Sequence, residues 1–263
     1  MTDTANTRAS RVELMGVGFD CITEGECVQD VFDRMERGTG GWVVTPNLDH
    51  VRRVSRSPTQ RALYDEASLS VADGMPLIWA SRLQGTPLPE RVAGSNLIWS
   101  LSSEAGKRGK RVYFFGGDPG TADQAASILS ERFPGLVVAG TDCPDHGFER
   151  RPETLAAAVS RMKAAAPDLI LVALGSPKQE DFIAGVQGEL PDAWWIGIGI
   201  SFSFVSGDVR RAPLWMQRLG IEWLHRLVQE PRRLARRYLV EDLPFAFRLF
   251  VDSAKKRLSR SSS

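Results

Sequence analysis

Groups that could do chemistry are few in this chain, and they follow apolar runs. Asp73-Gly74 comes after Leu69-Ser70-Val71-Ala72, and Thr45-Pro46-Asn47 closes Trp42-Val43-Val44. Asp73 is the best placed general base: a carboxylate there could take the proton from an attacking hydroxyl. The same spacing suits an Asx turn ahead of Gly74, and on spacing alone the two readings stand level. A second cluster, Gly175-Ser176-Pro177-Lys178-Gln179-Glu180, closes the apolar run from Leu169 to Leu174. A bare turn has no need of Lys178, Gln179 and Glu180 together, so a ligand site is favoured over an ordinary helix start capped by Ser176. A third, Gly116-Gly117-Asp118-Pro119-Gly120, either brings backbone amides to a phosphate or makes a tight turn. Arg91 could pair with a diphosphate or sit solvated.

Other chemistries find little support. His50, His146 and His225 lie far apart, and there is no Asp-x-Asp pair, so no metal and no other cofactor is expected. Gly-x-Ser-x-Gly, a P-loop and the dinucleotide fingerprint are all missing, which argues against a serine nucleophile and a Rossmann oxidoreductase. The net charge of +1 gives no global field for nucleic acid. Charge is uneven, however. From Asp208 onward thirteen basic residues face six acidic ones, an excess of seven against a deficit of six in the rest. Such asymmetry suits an anionic partner at one end.

Within that tail, Pro231 opens a helix on which Arg232 and Arg236, and Arg233 and Arg237, stack four residues apart, with Arg226 before them. These arginines look too many for one face without acidic partners, which diphosphates would supply. Further on, Leu243, Phe247, Phe250, Val251, Ala254 and Leu258 share one stripe, while Phe245 and Leu249 fall outside it. A basic helix with an aromatic apolar stripe reads as an element for an anionic membrane surface. The bland alternative is packing on the core or on another subunit, and a homo-oligomer is compatible with it. The most apolar segment, Ala193 to Val205, falls far short of the roughly 20 residues of a spanning helix, so membrane contact would be peripheral.

Positioning these groups requires alternating strands and helices. Strands are expected over 42–45, 69–72, 112–115, 136–140, 169–174 and 194–200. Helices are expected over 24–37, 60–66, 76–83, 95–108 with Ser95 as cap, 122–133, 153–166 and after Lys178. The pattern implies an α/β fold: a Rossmann-like, mostly parallel sheet with helices on both faces, plus a C-terminal helical appendage. Ligands bind such sheets at the carboxyl ends of the strands, where all three clusters sit. The expected divisions are a disordered stretch 1–10, a catalytic domain 11–207, a basic membrane-proximal appendage 208–258 and a disordered tail 259–263. Cys21, Cys27 and Cys143 are odd in number and unpaired in pattern, and the first eleven residues lack an apolar leader. Both point to the reducing cytoplasmic side, so the peripheral contact expected of the tail would be at the inner face of the plasma membrane.

The motifs together resemble the WecG/TagA/CpsF glycosyltransferases, glycosyltransferase family 26. The resemblance rests on Thr45-Pro46-Asn47, Ala72-Asp73-Gly74, Glu90-Arg91-Val92-Ala93-Gly94, Tyr113 to Gly120, Ala173 to Glu180, Arg211-Ala212-Pro213, and Glu222 to Leu227 with Glu230-Pro231-Arg232-Arg233. Seven stretches keep family order over roughly residues 12 to 240. The resemblance implies inverting transfer from a UDP-sugar to a sugar on polyprenyl diphosphate. It implies Asp73 as base with Thr45 and Asn47 beside it, Arg91 and Gln179 on the donor, and the arginine-rich tail closing over the site at the membrane. Many members carry an Asp after the last strand where this chain has Ser203, a departure that fits a different sugar. From another class, a non-catalytic nucleotide- or lipid-binding module would predict UDP binding without turnover.

Overall fold

A computed structural model describes residues 10–261. The remaining residues, nine of the ten at the start read as disordered and two of the five at the end, lie outside the described ones. Its strands are β1 (Arg11–Leu14), β2 (Val17–Asp20), β3 (Gly41–Val44), β4 (Leu69–Ser70), β5 (Arg111–Gly116), β6 (Val137–Asp142), β7 (Leu169–Ala173) and β8 (Trp194–Gly197). The first two form an antiparallel hairpin, an element the sequence reading passed over; the other six make one sheet in the order β4-β3-β8-β7-β5-β6, parallel throughout. Between and after them run α1 (Glu24–Glu36), α2 (Leu48–Val54), α3 (Pro58–Asp65), α4 (Met75–Gln84), α5 (Gly94–Arg108), α6 (Thr121–Arg132), α7 (Pro152–Ala165), α8 (Lys178–Val186) and α9 (Ser201–Ser206). The tail holds α10 (Leu214–Arg218), α11 (Glu222–Gln229), α12 (Pro231–Ala235), a π-helical turn (Arg236–Asp242) and α13 (Leu243–Ser261). The Rossmann-like α/β reading with a C-terminal helical appendage holds.

Successive strand residues point to opposite faces, and each face has its own core. On one, Trp42, Trp195, Phe115 and Phe182 meet residues of α2, α4 and α8; on the other, Trp194, Phe114 and Phe202 meet α1, α5 and α6. Phe115 stacks on Phe182 with ring centres 4.9 Å apart. Helix α2, which follows β3, packs on the first face, whereas α9, which follows β8, packs on the second. Because β3 and β8 are neighbours, their onward chains part company and open a crevice at their carboxyl ends.

The two edges of the sheet differ. At β4, the outward Ser70 N–H donates to Asp20 Oδ2 at 2.7 Å, and Asp20 in turn faces Arg11 Nε at 3.3 Å. At β6, Val137 and Val138 are exposed.

Two local expectations need correction. Helix α5 starts at Gly94 with Ala93 at the cap position, so Ser95 lies inside the helix. Pro177, not Ser176, holds the cap position of α8, with no side-chain cap bond. The apolar stripe of α13 also reads differently. Phe245, Leu249 and Ser253, off that stripe, are the buried residues, and α13 packs with them across α4. Leu243, Phe247, Val251 and Leu258 stand out in solvent, with Phe247 72% exposed. The last helix is therefore part of the first core as well as the outer surface, and it runs on to Ser261, into the stretch read as a disordered tail. Truncating its fully buried Leu249 should show this: Leu249→Ala is expected to lower unfolding stability by about 2–5 kcal/mol in denaturant melts, whereas a detached appendage would leave the midpoint unmoved.

Candidate active site

At the ends of β3 and β4 the chain gathers the first two sequence clusters. Asp73 is half-buried just past β4, its N–H donating to the Pro46 carbonyl at 2.9 Å. Helix α5 has no side-chain cap at Ala93, and the Gly94 amide at its start favours the ionised form of the Asp73 carboxyl. Gly94 packs closely there: a Cβ would lie 3.3 Å from Ile198 Cα and 3.6 Å from Thr45 Oγ1. That close approach brings buried Thr45, the start of α5 and the end of β8 together at the crevice. Asn47 is adjacent through its Cβ to Gly74, but its Oδ1 caps α2, accepting from Asp49 and His50 N–H at 3.1 and 3.2 Å.

Charged groups then close around Asp73. Arg91 Nη1 lies 3.8 Å from Asp73 Oδ1 and donates to Glu222 Oε2 at 3.0 Å. Arg211 reaches the other Glu222 oxygen from Nε at 3.3 Å, and donates from Nη2 to Asn96 Oδ1 at 2.8 Å. Burial pushes the Asp73 carboxyl up to about 6, with Arg91 and Arg211 opposing the rise and Glu222 adding to it. A carboxylate ionised at neutral pH, yet basic enough to accept a proton, is what a general base requires.

The cluster after β7 is built more for holding than for reaching. Buried Gln179 accepts the Gly199 N–H on Oε1 at 3.0 Å and donates from Nε2 to Glu180 Oε1 at 3.0 Å, so it ties the end of β8 to α8. Glu180 is buried, and burial raises its carboxyl. Lys178 Nζ stands 3.5 Å from Glu149 Oε1. Ser176 Oγ accepts from Arg53 Nη2 at 2.7 Å. Gly175 has φ +72° with open space where a side chain would be, so its backbone remains approachable. In the β5 turn, Gly116 and Gly117 have φ of +90° and +83°. A Cβ on Gly117 would collide with Thr121 Oγ1, and its N–H donates to the Ala173 carbonyl at 2.7 Å. These contacts explain both glycines as a tight turn on β7. Helices α6 and α8 nonetheless begin without side-chain caps at this rim, and uncapped N–H groups suit an anion.

The tail arginines are more engaged than expected. Arg237 pairs with Asp49 Oδ2 at 3.0 Å and Asp242 Oδ2 at 3.7 Å. Arg52 of α2 reaches Asp242 at 3.1 Å and Glu241 at 2.7 Å, so the π turn is fastened to α2 by a shared ion-pair network. Arg226 lies 4.0 Å from Glu230, and Arg236, largely exposed, is 3.6 Å from Glu241. The expectation that this face lacks acidic partners is thus corrected: Asp49, Glu230, Glu241 and Asp242 supply them. Arg232 is exposed, and the Arg233 side chain lies outside the described ones. Beside this network burial and Arg53 drive His50 down to about 3, so its ring is neutral. Among the described residues no group of three or more His, Cys, Asp or Glu side chains could hold a metal ion. Residues with geometry that the sequence reading gave no role are Arg211, Glu222, Asn96 and Arg53.

The family model for the WecG/TagA/CpsF glycosyl transferases matches residues 12–259. The chain belongs to this family. The match runs through α13, so the last helix is family sequence too. Among curated relatives, an N-acetylglucosaminyldiphosphoundecaprenol N-acetyl-β-D-mannosaminyltransferase of Bacillus spizizenii is 32% identical over 202 residues, 77% of this chain and 76% of its own length. A protein of the same name from Bacillus subtilis is 36% identical over 164 residues, 62% of each chain. This WecG/TagA/CpsF member is a glycosyltransferase. Among its described residues no helix is long and apolar enough to cross a membrane.

Proposed function

We propose that the enzyme transfers N-acetylmannosamine, with inversion, from its UDP derivative to N-acetylglucosamine carried on polyprenyl diphosphate at the inner face of the plasma membrane. The observation that carries the reading is Asp73: a half-buried carboxylate raised to about 6, at strand ends, with Arg91 3.8 Å away and Arg211 joined to Arg91 through Glu222. Asp73 takes the proton of the acceptor hydroxyl as the hydroxyl attacks the anomeric carbon, and UDP leaves from the opposite side. Arg91, Arg211 and uncapped amides around Gly175 supply positive charge for the departing diphosphate. The names of the two Bacillus relatives favour this sugar pair over glucose or glucuronic acid donors. The outward ridge of Leu243, Phe247 and Val251, with Trp79 and Leu83 exposed on neighbouring α4, gives a surface for the membrane that carries the acceptor. Exposed Arg232 and Arg236 suit its anionic headgroups.

The test is UDP release from a panel of UDP-sugars with a short-chain lipid-diphosphate N-acetylglucosamine acceptor. Release with UDP-N-acetylmannosamine alone supports the pair; UDP binding with no release from any donor makes the chain a binding module. Because Arg91, and not an Asp-x-Asp pair, stands beside Asp73, turnover in excess EDTA is expected to stay within about twofold of the untreated rate. Complete loss, restored by magnesium or manganese, would overturn the metal-free mechanism.

A further inference from the structure

We propose that Glu222, carried in on α11, is a positioning residue that holds Arg91 and Arg211 as a spaced pair and keeps Arg91 from closing onto Asp73. The proposal deepens the reading of Asp73 as the base and rests on it. Each Glu222 oxygen serves one arginine, Oε2 accepting from Arg91 Nη1 at 3.0 Å and Oε1 from Arg211 Nε at 3.3 Å. The same Arg91 nitrogen stands 3.8 Å from Asp73 Oδ1, beyond hydrogen-bond length. Arg211 cannot follow Arg91, because Asn96 Oδ1 and the Ser95 carbonyl hold its far side at 2.8 and 3.4 Å. Glu222 also sits in the first turn of α11, where the positive end of the helix favours a carboxylate. The three side chains are only 15–20% exposed, so solvent screens their interactions weakly.

Four groups act electrostatically on the Asp73 carboxyl: Arg91 from the loop between α4 and α5, at 3.8 Å, Glu222 from α11, Arg211 from the segment after α9, and the Gly94 amide of α5. With the Glu222 charge removed, two guanidiniums would face one carboxylate. Arg91 would then pair with Asp73 directly, and a base so paired accepts a proton less readily. Glu222 comes from the tail while Asp73 and Arg91 come from the sheet domain, so the base reaches working strength only with α11 in place.

The experiment compares full-length wild type, Glu222→Gln, Glu222→Asp and Asp73→Asn. The Asp73 carboxyl is titrated by carbon-13 NMR, its signal assigned by its loss in Asp73→Asn, and UDP release is followed across pH. For Glu222→Gln the NMR midpoint and the acid limb of kcat/KM are both expected to fall, by about one pH unit. Glu222→Asp keeps the charge and should stay near wild type in both readouts. Unchanged midpoints in Glu222→Gln overturn the proposal and leave Glu222 a packing contact. Tighter UDP binding with faster turnover in Glu222→Gln also overturns it, since Glu222 would then be competing with the donor for the arginines. Should Asp73→Asn turn over like wild type, the base reading fails instead, and the NMR titration still judges Glu222.

Discussion

Asp73→Asn is expected to slow transfer by about 10²–10⁴-fold while UDP affinity stays within about twofold. Asparagine keeps the size of the side chain and its packing beside the start of α5. What it loses is the ability to take a proton. The pH dependence follows with a definite sign. A base must be ionised to act, so wild-type kcat/KM should be level above about 6 and fall about tenfold per pH unit below it. The residual rate of the variant should lack that limb. Near-wild-type turnover, or an acid limb that survives in Asp73→Asn, would remove Asp73 from the role.

The second large effect concerns the outer face of α13. Leu243→Glu/Phe247→Glu is expected to weaken binding to anionic vesicles by about 10²-fold or more, since burying each large apolar side chain is worth about 1.5–3 kcal/mol. Both residues are highly exposed, 62% and 72%, so the fold should be almost unaffected. Transfer to a long-chain acceptor in vesicles should fall in step, and transfer to a short soluble acceptor should not. Raising salt separates the two attractions, because charge is screened over ~8 Å at physiological ionic strength while apolar burial persists. If the double variant sediments with vesicles as the wild type does, the ridge serves some other contact.

Much of the fold was legible because the inner strands are continuous apolar runs. Tyr113 to Phe115 and Leu169 to Val172 can only be buried on both sides, and that demands helices on both faces. The β1–β2 hairpin had its own signal: Val12 and Leu14 alternate with polar neighbours, and Met15-Gly16 turns the chain at positive φ. Its strands are four residues each, too short to stand out. The start of α5 was not legible, since Ser95 has the residue type of a cap while the helix begins one residue earlier, at Gly94, with no side-chain cap. Glu222 was missed for a different reason: its partner Arg91 lies 131 residues away, and no local spacing reports such a pair. On α13 the helical period identified an apolar stripe correctly. It could not tell which of two apolar faces meets the core, because Phe245 and Leu249 alone, without α4, look like blemishes on a polar side.

The unequal edges of the sheet set where a foreign strand could join it. On the β4 side the ladder is two residues long and its outward Ser70 amide is taken by Asp20, so an incoming chain finds no donors to pair with. On the β6 side six residues run with Val137 and Val138 each 37% exposed, and no lysine or proline interrupts them. Cross-strand growth, whether into a crystal lattice, an aggregate or a swapped assembly, therefore has a preferred direction: outward from β6, away from the crevice and from the exposed ridge of α13. A single lysine at Val138 would close that direction while leaving Asp73 and its arginines untouched.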